Sequence, residues 1–114
     1  MMSNNAKYED YKKSLLIKIK KATLDIEKNA EIYLFGSRAR GDFKVDSDWD
    51  LLILLPYEVN FDMKYQITSS LVGIALSENQ VFNRIYYKND DWKINTIIHA
   101  TPFYESVSKE AILI

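Results

Sequence analysis

The sequence has no cysteine, one histidine, two prolines and three glycines in 114 residues. Without cysteine there is no disulfide frame, thiol nucleophile or thiolate metal site. That composition suits a reducing, cytoplasmic setting, which is the expectation. The lone His99 is expected to be packed or exposed rather than to act as a ligand. So few prolines and glycines leave no flexible linker, and neither a repeat nor a low-complexity tract occurs. No apolar run approaches the roughly 20 residues of a membrane span. The opening MMSNNAKYEDYKK lacks the apolar core of a signal peptide. An excess of either charge is missing too. Fifteen basic and sixteen acidic residues give a formal net charge of -1. This argues against a broad nucleic-acid surface, which needs accumulated Lys and Arg, and in favour of a small substrate. Little net charge also means little repulsion against a homo-oligomer. The length predicts one domain, 1–114.

What is present concentrates in residues 32–55, IYLFGSRARGDFKVDSDWDLLILL. Two apolar runs, Ile32–Phe35 and Leu51–Leu55, read as buried strands flanking a polar, glycine-containing loop. A site held between two rigid strands can be precise. Asp48 and Asp50 stand two apart at the mouth of the second strand. Residues at that spacing share one side of a strand, so both carboxylates face one place. Like charges that close resist joint ionisation, and a divalent cation relieves the conflict. A hard oxygen pair suits Mg²⁺. Trp49 between them is expected to point the other way, into packing. The plainer alternative is a turn rich in Asp, which needs no function.

Gly36 directly after a strand permits a tight turn or a positive φ. Ser37 can cap a helix or bind an anion through its hydroxyl and backbone N–H groups. Arg38 and Arg40 run against the helix-dipole preference for acidic residues, which makes sense if an anion is bound. One strand end thus offers anion-binding groups and its neighbour a metal pair. Together they suit a nucleoside triphosphate with Mg²⁺.

Gly36-Ser37, ten intervening residues and then Asp48-x-Asp50 resembles the signature of the minimal nucleotidyltransferases of the polymerase beta superfamily, as in HEPN/MNT two-gene modules. The run from Thr101 to Glu110 also resembles the end of short family members. The resemblance implies an α/β (α+β) nucleotidyltransferase fold, a small mixed sheet with flanking helices. It implies Asp48 and Asp50 as catalytic metal ligands for Mg²⁺, with Mn²⁺ as a substitute. It assigns Gly36, Ser37, Arg38 and Arg40 to the phosphates of ATP or another NTP. The family commonly has a third carboxylate on the next strand, where Asn83 is the expected match here. An amide oxygen can coordinate a metal but is a poor base. The resemblance implies transfer of a nucleoside monophosphate to a hydroxyl, such as a tyrosine of a helical HEPN-type partner. The alternative is a weak or inactive fold member acting as antitoxin and binding partner.

Elsewhere, periodicity predicts helices over 3–28, 60–77, 91–98 and 102–111, with a short one from Ser37 to Gly41. Strands are predicted over 30–35, 49–55 and 81–87. The unbroken apolar run Leu51–Leu55 predicts a central strand covered on both faces. The apolar tail Ala111–Ile114 is expected to pack on the core, a second copy or a partner.

Overall fold

The computed structural model describes residues 4–114. The chain runs α1 (Asn4–Ile26), β1 (Glu31–Phe35), α2 (Ser37–Arg40), β2 (Trp49–Leu55) and α3 (Phe61–Glu78). It continues through β3 (Phe82–Lys88), α4 (Asn89–Ile94), α5 (Thr96–His99), α6 (Pro102–Glu110) and β4 (Ile112–Leu113). The four strands form one mixed sheet in the order β3-β2-β1-β4. β1 pairs antiparallel with β2 and with β4, whereas β2 and β3 run parallel across the α3 crossover.

β2 sits at the centre, and alternation along it feeds two cores. Trp49, Leu51, Ile53 and Leu55 pack with Leu15 and Ile19 of α1 and Ile67 and Leu71 of α3. Leu52 and Leu54 pack on the opposite face with Phe35, Trp92 and Val107. Every residue of β2 is buried except Asp50, which is half-buried. The expected double coverage of β2 is thus realised: α1 and α3 lie on one face, α4 and α6 on the other. Among the described residues, no helix is long and apolar enough to cross a membrane.

Local chemistry sets the boundaries. The Asn60 side chain accepts the Met63 N–H at 2.9 Å and starts α3. Asn79, at φ 54°, ends it in the left-handed conformation. Two expectations are refined. The predicted helix over 91–98 is two helices, because the Asn95 side chain accepts from Ile97 and Ile98 N–H and starts α5 afresh. The apolar tail is a short edge strand on β1, and the N–H of Ile114 donates to Ile32 O at 3.0 Å. Predicted residue 3 of the first helix lies outside the described residues. His99 is packed, as expected: its ring stacks on Tyr104 at 4.0 Å, and Nε2 donates to the Trp92 carbonyl at 2.7 Å.

Candidate active site at the β1–β2 mouth

β1 ends at Phe35 and the chain turns at Gly36, with φ 75° and ψ −161°. That backbone conformation belongs almost to glycine alone. A second constraint acts here. A Cβ on Gly36 would stand 2.1 Å from Asp50 Oδ2. Gly36 is therefore where the turn after β1 touches the carboxylate opening β2. Ser37 starts α2 directly afterwards, and no side chain caps that start. The first N–H groups of such a turn lack partners within the helix.

Asp48 and Asp50 converge. Asn83 pairs with Asp50 across the parallel β2–β3 ladder, and its amide lies between the two acids. Asn83 Nδ2 donates to Asp48 Oδ2 at 3.0 Å and to Asp50 Oδ1 at 2.8 Å. One NH₂ group thus takes a position that both carboxylates face. Trp49 points to the opposite face, as expected, and is fully buried. Its Nε1 donates to Gln80 at 3.0 Å and its backbone N–H to Val81 O at 2.9 Å, pinning the mouth of β2. Asp48 is exposed and Asp50 half-buried, so a ligand can reach both.

Arg38 has partners other than those expected. It is 4% exposed. Its guanidinium lies 4.6 Å from the Phe43 ring centre and 4.4 Å from that of Trp49. Nη2 donates to Ser47 O at 3.0 Å and to Val45 O at 3.3 Å. Those bonds tie Arg38 to the loop that delivers Asp48. Ser47 tightens the same loop, its Oγ accepting the Lys44 N–H at 2.7 Å. Arg40 is exposed and paired with Asp42 and Glu110. Those hydrogen bonds, Glu110 first, push its already high pKa up further.

Glu110 was not singled out by sequence as a site residue. It reaches the turn from the end of α6, and its Oε1 accepts the Gly36 N–H at 3.0 Å. Nothing local to Glu110 signals this, because the two residues meet only through packing of α6 on the sheet. The resemblance of the 101–110 run to the ends of short family members was the only pointer.

A family model for the nucleotidyltransferase domain matches residues 16–114. The chain belongs to this nucleotidyltransferase domain family. No curated protein matches the sequence. Among solved structures, a chain of a toxin–antitoxin crystal structure with AMP-PNP is similar, with a TM-score of 0.59 and 19% identity. The match covers 85% of this chain and 69% of that one. At that identity the likeness supports the fold.

The donor set of this nucleotidyltransferase domain fits a divalent cation. Asp48 and Asp50 supply hard, charged oxygens facing one point. Half a turn of the Asn83 amide would present Oδ1 there instead of Nδ2. Among the described residues, no cluster of three or more His, Cys, Asp or Glu offers a metal site. The site therefore has two carboxylates and one amide, with no third acid on β3.

Proposed function

We propose that the chain is a Mg²⁺-dependent nucleotidyltransferase that moves the nucleoside monophosphate of ATP, or another NTP, to a hydroxyl acceptor. The observation that carries this reading is the convergence of Asp48 and Asp50 on the Asn83 amide, against the side-chain-free edge of Gly36. Asp48 and Asp50 would hold Mg²⁺, or Mn²⁺ in its place, with Asn83 turning its amide oxygen inward. Bound there, the cation would supply charge against the α-phosphate and the attacking oxygen. Gly36, lacking a Cβ, lets the turn after β1 sit directly against Asp50. The backbone N–H groups at Gly36 and Ser37, the Ser37 hydroxyl and Arg40 would hold that tail and the leaving pyrophosphate. Arg38 would act indirectly, by fixing the loop before Asp48. Catalysis of this kind is mostly positioning and charge stabilisation.

The acceptor reading rests on the family resemblance, and the chemistry of the site is compatible with it. Asn83 cannot serve as a base, so an acceptor that gives up its proton readily is favoured. A tyrosine phenol, with a pKa near 10, does so far more easily than an aliphatic alcohol. A tyrosine of a helical, HEPN-type partner fits that chemistry.

A second reading is a cytoplasmic antitoxin that docks such a partner without turnover. The neutral Asn83 and the likeness to a toxin–antitoxin structure favour it. Transfer of labelled AMP from ATP, with and without a candidate partner, separates the two. Under the enzyme reading, Asp48→Ala or Asp50→Ala lowers transfer at least about 100-fold. Absence of transfer from the wild type, with partner binding intact in both variants, leaves the docking reading.

A further inference from the structure

Glu110 is the last residue of α6, yet its carboxylate closes over the turn after β1. Oε1 accepts the Gly36 N–H at 3.0 Å, and Oε2 accepts from Arg40 Nη1 at 2.8 Å. The Glu110 side chain is only 18% exposed. A carboxylate divided between a main-chain N–H and a guanidinium is held as a phosphate oxygen pair would be. Both donors belong to the set that the nucleotide reading assigns to the phosphate tail.

We propose that Glu110 occupies the place of a phosphate, as an internal carboxylate that the nucleotide's tail must displace. This rests on the nucleotide reading of the same site. Glu110 thereby lowers affinity for every anion and favours ligands with several charged oxygens. A triphosphate with its cation offers more than one carboxylate can, whereas a lone phosphate offers little more. The competitor is also tethered. Ala111 and β4 follow Glu110 directly, and β4 is paired to β1 at Tyr33 and Leu34. A displaced Glu110 therefore stays beside the turn at high effective concentration. The free chain holds its donors mostly occupied, and apparent affinity falls by the fraction left open.

The test is titration calorimetry of the full chain with Mg²⁺ and a non-hydrolysable ATP analogue. Glu110→Gln keeps the shape and removes the charge. Glu110→Asp keeps the charge but is one methylene too short to reach both donors. Both variants, shown folded by circular dichroism, are expected to bind roughly three- to tenfold more tightly than the wild type. Affinity equal to or weaker than wild type in folded variants overturns the proposal. A readout on the wild type stands even if the variants do not fold. The Glu110 side-chain carboxyl ¹³C resonance must move when the analogue binds, and an unmoved resonance overturns the proposal. If the wild type and the variants all fail to bind, the nucleotide reading itself falls and this proposal with it. That outcome is distinct from a wild type that binds and variants that gain nothing.

Discussion

Gly36 joins two requirements that rarely meet in one residue. Its backbone occupies a region closed to side chains, and its missing Cβ leaves room for Asp50 Oδ2. Gly36→Ala is therefore expected to cost about 1–3 kcal/mol of stability through backbone strain. It should also push Asp50 out of line with Asp48, lowering Mg²⁺-dependent nucleotide uptake at least about tenfold; urea melts and calorimetry check the two effects. Asn83 makes the opposite kind of case. It bridges two acids in the free chain, so Asn83→Asp replaces two hydrogen bonds with a third negative charge. Without metal the variant should melt below the wild type by roughly 1 kcal/mol of stability. Added Mg²⁺ should restore it more than it raises the wild type. Thermal melts with and without MgCl₂ measure this, and a variant indifferent to Mg²⁺ contradicts the placement of the metal. At this scale the sequence was informative where spacing is local. The i, i+2 rule put Asp48 and Asp50 together and sent Trp49 the other way. It was silent on Glu110 and on the loop carbonyls that Arg38 meets, because neither side chain's partners can be read from neighbours along the chain.

The elements follow the same division. β2 was legible to the residue, since an unbroken apolar run bounded by Asp50 and Pro56 allows little else. α3 was legible within a residue at either end because Asn60 and Asn79 both mark its limits. The break at Asn95 was not, since the same residue that fits a helix interior can also restart one by side-chain capping. The tail strand was hidden because two residues carry no periodicity; its pairing to β1 comes from the sheet. Gly73 is the one glycine of α3. It lies exposed inside α3, and an added Cβ there would meet nothing within 4 Å. Gly73→Ala is expected to stabilise the protein by about 0.5–1 kcal/mol through lower backbone entropy in the unfolded chain. An unchanged or lower denaturation midpoint in urea contradicts the reading of α3 as an ordinary open helix face.

Across the whole molecule, the sheet is covered on both sides, and polar ties hold the second layer to it. Glu31 of β1 pairs with Lys93 of α4 at 2.9 Å and also accepts from Tyr33 and Asn89. The Lys93 hydrogen bond, aided by those of Tyr33 and Asn89, holds the Glu31 carboxyl below its ordinary 4.5 against the pull of burial. Lys93 is correspondingly pushed above its ordinary 10.5, chiefly by its hydrogen bond with Glu31. A depressed carboxyl pKa stabilises the fold fully above 4.5 and loses that stability as pH falls through the folded value. A raised lysine pKa stabilises fully below 10.5 and loses it as pH rises through the folded value. The tie is therefore at full strength between the two. Glu31→Gln should reduce stability at neutral pH and flatten its decline on acidification below 4.5. Thermal melts from pH 3 to 7, marked at about one-unit steps, check this; parallel curves for wild type and variant contradict it. Fold class was legible at this scale because the helix and strand periods alternate along the chain. Strand order was not legible, since periodicity says which face is buried but not which strand lies beside which.

In the proposed site, Asp48 and Asp50 together would hold a divalent cation against a nucleotide's phosphates. Anomalous diffraction from crystals grown with Mn²⁺ and a non-hydrolysable ATP analogue addresses it directly. The expected result is a manganese peak within coordination distance of both carboxylates, with the phosphate tail beside Ser37 and Glu110 swung away from Gly36. A nucleotide bound with no peak between the two acids, or a peak elsewhere on the surface, would contradict it.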